Sequence, residues 1–325
     1  MLSHLHRTTT ARERTVFEFR PYGRITVIPP NTSPRSAFAG WGMVDLSPTR
    51  YLMNIPAKWT PCLLSAVRIV VGLLFFQHGA EKLWGFAGGR IDRDFASLRG
   101  MAGPIEVVGG GLIVLGLFTR TTAFILCGEM AVAYFRSWAP RGFWPINNGG
   151  EEAVLCCYIF LWLVTAGPGS FGLDAVLQRK RHYHSMKEKI ALWEPQARSV
   201  LRIVLAFVFI LHGFRNLFGF FPALAGRRGA VPMALDALPP LFGTLELAGG
   251  ALLFFGLFTR PAAVVLAVQL AAAYWYSAVP RGGWPIRNGG NEVLFYFLVF
   301  AYLAADGAGV WSLDELFQSK PGGRN

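Results

Sequence analysis

The chain has 325 residues, 53% of them hydrophobic, 14% aromatic and only 15% charged, with a positive mean hydropathy. That balance excludes an ordinary soluble domain and fits an integral membrane protein. The net charge of +12 does not argue for nucleic acid, because the basic residues gather outside the apolar runs, where they read as topology and anionic-lipid contact.

Residues 1–58 form a polar, basic extension carrying Arg7, Arg12, Arg14, Arg20, Arg24, Arg35, Arg50 and Lys58. It lacks the apolar core of a signal peptide, so none is expected, and Met43 or Met53 are alternative starts for a shorter chain. The stretch "RTVFEFRPYGRITVI" alternates around a Pro-Tyr-Gly turn and reads as a hairpin. No function attaches to this segment.

Beyond it the chain is written twice. "VRIVVGLLFFQHGAEKLWGF" (67–86) returns as "LRIVLAFVFILHGFRNLFGF" (201–220), and "IEVVGGGLIVLGLFTR" (105–120) returns as "LELAGGALLFFGLFTR" (245–260). "PRGFWPINNGGEEAVL" (140–155) returns as "PRGGWPIRNGGNEVLF" (280–295). The offset is 134 at the first match and 140 afterwards, so the second copy carries six extra residues in its first loop. The organisation is an extension (1–58), a first repeat (59–177), a basic linker (178–197), a second repeat (198–317) and a short tail (318–325).

Each copy holds four apolar segments, near 61–86, 103–119, 121–138 and 150–167, then 198–221, 240–259, 260–279 and 290–306. Only helices and closed barrels satisfy the backbone in lipid, and these runs lack the period-two alternation of barrel strands. The expected fold is therefore all-α, with eight transmembrane helices in two four-helix repeats. An even number of spans gives both repeats the same orientation. Positive-inside bias then places both termini, the linker and the turns at Arg120 and Arg260 in the cytoplasm. The first loops, with Arg90, Asp92, Arg93 and Arg99 or Arg227 and Arg228, face outward.

Ionisable residues inside spans are costly and are functional candidates for that reason. His78 stands ten residues after Arg68; with Arg68 at the boundary, it falls near mid-bilayer. Glu81 and Lys82 follow it at helical spacing. The structural alternative is that Lys82 reaches outward, Glu81 pairs with it, and His78 holds helices together. Glu106 lies one turn before Gly109 and Gly110, and Glu129 lies nine residues beyond Arg120, where it should be protonated or paired. His78, Lys82, Glu106 and Glu129 are the candidates for proton handling. Pro140 should end the third helix, and Gly142 with Pro145 should keep the following loop irregular. Trp144 suits the headgroup belt, and Glu151 and Glu152 suit a helix N-terminus by charge alone.

Eight polar positions persist between copies: Arg68, His78, Glu106, Arg120, Tyr134, Arg141, Asn148 and Glu152 return as Arg202, His212, Glu246, Arg260, Tyr274, Arg281, Asn288 and Glu292. Tyr134, Arg141, Asn148, Glu152, His212, Glu246, Arg281, Asn288 and Glu292 are the binding candidates. Glu81, Lys82, Glu129 and Glu151 do not persist; Arg215, Asn216, Gln269 and Asn291 replace them. The persistent set reads as architecture or a common polar site, and the lost set as chemistry retained in the first repeat. The four cysteines form no C-x-x-C pair and read first as small buried hydrophobes, with the adjacent Cys156 and Cys157 leaving a redox role open.

At "HGAEKLWGF", "IEVVGGGLIVLGLFTR", "NNGGEEAVL" and "GPGSFGLDAVL" the first copy resembles the DoxX-like family of bacterial four-helix membrane proteins, and the second resembles a more divergent member. The resemblance covers 61–177 and 198–317; the tandem duplication departs from the family's usual single unit. It implies a bacterial inner-membrane location and association with membrane redox chemistry, since relatives include a membrane subunit resembling that of thiosulfate:quinone oxidoreductase.

Three readings follow. The first is a redox-associated subunit that binds quinone, with His78 and Glu129 handling protons and Lys82 or Glu106 relaying them. Nothing in the sequence offers an electron entry point of its own, so a redox enzyme partner or the quinone pool supplies electrons. His78 and His212, related by the repeat axis, are also a formal pair of b-type haem ligands, although two independent hydrogen-bonded histidines explain them equally well. The second reading is a carrier for a small solute or lipid. The third is a scaffold of a membrane complex.

Overall fold

The computed structural model describes residues 59–92, 94–178, 185–220 and 239–319. The N-terminal extension with its expected hairpin, the centre of the linker, Arg93, Arg227, Arg228 and the last six residues lie outside this set. The described residues belong to one compact unit within Leu46–Asn325.

The described chain is helical, without strands. α1 spans Thr60–Trp84, with Pro61 in its first turn, and stops at left-handed Gly85. α2 (Leu98–Leu115) starts five residues earlier than its apolar run, because the Ser97 hydroxyl caps it by accepting from the Gly100 amide at 3.0 Å. α3 (Thr119–Ala133) continues through a π turn (Tyr134–Trp138) and a 3-10 turn (Ala139–Arg141). Pro140 therefore sits inside helical structure. The expected irregular loop contains a short helix, α4 (Pro145–Asn148), since proline's fixed φ also suits a first helical position. α5 (Glu151–Ala166) and α6 (Leu173–Gln178) complete the first set.

After α7 (Ser185–Ala191) the order repeats: α8 (Glu194–Phe218), α9 (Pro239–Phe255), α10 (Thr259–Ala273) with its π turn (Tyr274–Ala278) and 3-10 turn (Val279–Arg281), α11 (Pro285–Asn288), α12 (Asn291–Asp306) and α13 (Leu313–Ser319). Four of these helical runs are long and apolar enough to cross a bilayer: α1, α2, α8 and Thr259–Arg281. Large apolar side chains such as Val108, Phe124, Phe135 and Trp275 are more than 60% exposed, an arrangement that suits lipid and not water.

Within each repeat the first two helices make the closest pair. A Cβ on Gly79 would come within 2.6 Å of the Val107 amide nitrogen, and one on Gly213 within 2.6 Å of that of Leu247. Absent side chains thus let α1 meet α2, and α8 meet α9, backbone to backbone. α3 packs on α5 and α10 on α12. Between repeats, α5 packs against α8, α12 against α1, and α5 against α12. Each repeat's last long helix thus lies on the first helix of the other.

The end of the bundle where α1 begins is locked by buried groups. Arg68 is fully buried and donates to the carbonyls of Pro168 (2.8 Å), Val114 (2.6 Å), Phe171 (3.0 Å) and Ile113. Five guanidinium donors spread over carbonyls freed at a helix end and a loop satisfy both parties. Arg202 repeats this on Ala308, Leu253, Phe254 and Trp311. Phe118 and Phe258 both adopt positive φ, +49° and +48°, unusual for a bulky residue. The Asp174 carboxylate holds the first by accepting from the amides of Phe118 (2.9 Å) and Thr119 (2.8 Å), and Asp314 does the same for Phe258 and Thr259. Of the repeated motifs, "GLFTR" and the following Leu-Asp therefore serve architecture.

Candidate functional site

Arg68 lies at the end of the bundle where α1 begins, level with the last turn of α2 and the loop after α5. His78 lies eighteen residues beyond Thr60, roughly 27 Å along α1, and six residues, roughly 9 Å, short of Trp84. There it reaches Glu152 in the first turn of α5. Glu129 does sit near the middle of its helical run, ten residues past Thr119 and twelve before Arg141.

At that level the first repeat contains a cavity of about 800 Å³ between α1, α2, α3 and α5. Its polar wall includes His78, Lys82, Glu106, Glu129, Glu152 and Arg141. All four candidates for proton handling thus line one space, with two of the binding candidates. Its apolar wall includes Leu98, Met101 and Ile105 on α2, and Ile125 and Val132 on α3. Those five side chains are 40–56% exposed, so the cavity opens sideways between α2 and α3, onto the apolar flank of the bundle.

The polar groups pair in a definite order. Lys82 Nζ donates to Glu106 Oε1, an ion pair with α2 and not the Lys82–Glu81 pair of the structural alternative. Glu106 Oε2 is buried without a hydrogen-bond partner among the described residues, and so are both carboxyl oxygens of Glu129. An orphaned carboxyl in an apolar wall is costly and marks a place where a ligand or a proton belongs. His78 Nε2 lies 2.8 Å from Glu152 Oε1.

The site is completed from the other repeat. Asn291, on α12, donates its amide to Glu152 Oε1 at 2.9 Å and abuts His78 Nε2 at 2.9 Å. In return Glu151, on α5, lies 2.6 Å from His212 Nε2 and accepts from the Tyr296 hydroxyl at 2.9 Å. Glu151 and Asn291 occupy equivalent positions, and each reaches across the repeat axis to the other copy's histidine. The sequence singles out Glu151 only as one of the acids confined to the first repeat, with no partner, and gives Asn291 no role. The only sequence signal was that this equivalent pair changes chemistry, and that change was read as an acid lost from the first copy's counterpart.

The other candidates separate by role. Asn148 is a turn former: its amide donates to the Gly142 carbonyl (2.8 Å) and the Tyr134 hydroxyl (3.2 Å), while its oxygen accepts from the Gly150 amide (2.7 Å). Asn288 holds the second copy's turn through Gly282 and Gly290. Arg281 donates to the Asn288 carbonyl at 3.5 Å. Glu246 accepts from Asn216 at 2.7 Å and from Gln269 at 3.4 Å, so neutral amides stand where the first repeat has Lys82 and Glu129. Tyr134, Asn148, His212, Glu246, Arg281, Asn288 and Glu292 do not line the cavity. Joint haem ligation by His78 and His212 finds no support, because the Nε2 of each lies within hydrogen-bond distance of a different carboxylate.

The second repeat carries larger side chains at four of the corresponding wall positions and smaller ones at others, with Ala272 and Ala278 in place of Val132 and Trp138. Ala102, Gly128, Ala153 and Cys156 are replaced by Phe242, Val268, Val293 and Tyr296. Tyr296 is buried and packs edge-on to His212, with ring centroids 6.1 Å apart. The two copies share helices and histidines but differ in the side chains that line the space beside them.

Comparison with known proteins agrees with this architecture. The DoxX family model matches residues 63–137 and again 197–278. An uncharacterized protein of Haemophilus influenzae is 45% identical over 129 residues, which is 38% of this chain and 96% of the relative. The chain belongs to the DoxX family. Two further relatives, an uncharacterized membrane protein of Mycobacterium tuberculosis and the inner membrane protein YqjF of Escherichia coli, are each 28% identical; the matches take up 35% of this chain and 80% and 90% of theirs. Each relative is thus matched over most of its length by about one repeat's worth of this DoxX protein. It is a membrane protein with bacterial relatives, and its solvent is the lipid bilayer. No solved structure matches it.

Proposed function

We propose that this DoxX protein is an eight-span protein of a bacterial inner membrane whose first repeat binds a quinone from the bilayer, in association with a redox enzyme that supplies electrons. The observation that carries this reading is the cavity of about 800 Å³, apolar and laterally open on one side, with the orphaned Glu129 carboxyl on another. A lipid-soluble ring enters such a space without crossing water. Bound there, a quinone supplies two-electron chemistry that also needs two protons.

The chain's own groups suit the proton side. Glu129 and the free oxygen of Glu106 are acid-base groups within the cavity wall. His78, hydrogen-bonded to Glu152 and steadied by Asn291, stands between the cavity and the α4 end of the bundle, on the route a proton takes inward. Lys82 and Arg141 place positive charge where negative charge develops on a reduced ring oxygen. The second repeat, with neutral amides and Tyr296, acts as a structural partner that positions Asn291. Both termini then lie on the cytoplasmic side, opposite the His78 end.

The test is lipid extraction from protein purified in a mild detergent, with the quinone content quantified. We expect near-stoichiometric quinone in the wild type and a several-fold loss in Glu129→Gln and His78→Ala. Quinone at the level of an unrelated membrane protein in all three would end the proposal.

A further inference from the structure

The four cysteines are all free thiols, and two of them meet. Cys127 Sγ on α3 lies 3.7 Å from Cys157 Sγ on α5, in the seam between two helices that wall the cavity. Each is next in sequence to a cavity-lining residue, Gly128 and Cys156 respectively. Both are half-buried, neither sealed in the core nor open to bulk water. The corresponding seam of α10 and α12 carries Ala267 and Phe297, so the fold packs without sulfur there. A pair of facing thiols beside the site of one repeat, dispensable in the other, is explained poorly as packing.

We propose that Cys127 and Cys157 are a dithiol pair that membrane quinone oxidises to a disulfide. The oxidant in this inference rests on reading the cavity as a quinone site. Two S–H bonds break and one S–S bond forms; the two electrons and two protons released pass to the quinone, which leaves as its hydroquinone. The sulfurs must close from contact to about 2.05 Å, an approach of roughly 1.7 Å, within reach of small side-chain and helix adjustments. A thiol that donates to its neighbour's sulfur also prepares that sulfur as the attacking thiolate. The disulfide joins α3 to α5 and so fixes the width of the cavity wall. Glutathione and other aqueous reductants reach this depth poorly, so the couple responds to the quinone pool and not to the cytosol.

The experiment uses the full chain in lipid nanodiscs, reduced and then freed of reductant without air. Decylubiquinone or diamide is added, remaining thiols are alkylated, and the intact mass and cross-linked peptides are read; bound quinone is measured in parallel. We expect both oxidants to lower the alkylated thiols from four to two, with a Cys127–Cys157 peptide. Cys156→Ala should still lose two, while Cys127→Ala and Cys157→Ala should lose none. If quinone binds but only diamide forms the bond, the couple is overturned and the cavity reading stands. If neither oxidant forms it, the couple is likewise overturned. If diamide forms the bond but no quinone binds, the couple loses its oxidant and fails together with the cavity reading.

Discussion

Glu151 of the first repeat lies 2.6 Å from His212 of the second, and this contact is the hinge of the interface between the copies. Its counterpart Asn291 answers on the opposite side of the axis at His78 and Glu152. The carboxylate of Glu151 is 3% exposed and also accepts from Tyr296. Glu151→Ala leaves the buried Tyr296 hydroxyl and the partly buried His212 ring without their carboxylate, at a cost of about 1–3 kcal/mol, whereas Tyr296→Phe removes one hydrogen bond at about 1 kcal/mol. Thermal unfolding in detergent, read by intrinsic fluorescence, should rank the variants in that order.

Arg68 and Arg202 should be the least replaceable residues in the chain. Each is fully buried and binds four carbonyls, so Arg→Ala orphans acceptors from a helix end and a loop at once. Lysine cannot reproduce the planar fork, so Arg68→Lys should rescue little. Membrane-fraction yield and size-exclusion profile check this; normal monodisperse protein from Arg68→Ala would count against the lock.

Two glycines should behave oppositely. A side chain at Gly79 meets the Val107 backbone at 2.6 Å, so Gly79→Ala should split α1 from α2 and lower stability by about 1–3 kcal/mol. A Cβ at Gly128 meets nothing within 4 Å, so Gly128→Val, which copies Val268 of the second repeat, should leave stability unchanged and narrow the cavity. Melting temperature separates the two, and bound quinone should fall only for Gly128→Val.

Lys82 and Glu106 form a pair set deep enough that breaking it is worse than removing it. Lys82→Met strands Glu106 and should cost about 3–5 kcal/mol, with Glu106→Gln milder because the amide oxygen still accepts from Lys82, the more exposed partner at 18% against 3%. The double variant should recover much of the loss, since a neutral pair needs no compensation. A double-mutant cycle on unfolding free energies measures the coupling.

The helices and their duplication were legible because apolar runs and glycine punctuation leave plain local marks. Gathering His78, Lys82, Glu106 and Glu129 in one space was also foreseeable, since buried charge seeks company. What the sequence did not show is that Arg68 is buried on four backbone carbonyls; nothing local distinguishes an arginine facing headgroups from one capping the end of a neighbouring helix. The pairing of Glu151 and Asn291 across the repeats was not legible for a different reason. Their partners belong to the other repeat, and a comparison of aligned copies cannot show that equivalent positions exchange partners across an axis. The cavity is lined in part by four small side chains, at Ala102, Gly128, Ala153 and Cys156, which belong to no motif and meet only through packing.

The central claim is that the first repeat's cavity takes a quinone from the bilayer through the gap between α2 and α3. A photoactivatable quinone added to the protein in nanodiscs, followed by peptide mapping of the adducts, tests it most directly. The account predicts adducts on residues 98–106, 125–138 and 149–156, displaced by excess decylubiquinone and reduced in Gly128→Val. Adducts confined to the second repeat, or spread over the lipid-facing surface without displacement, would contradict it.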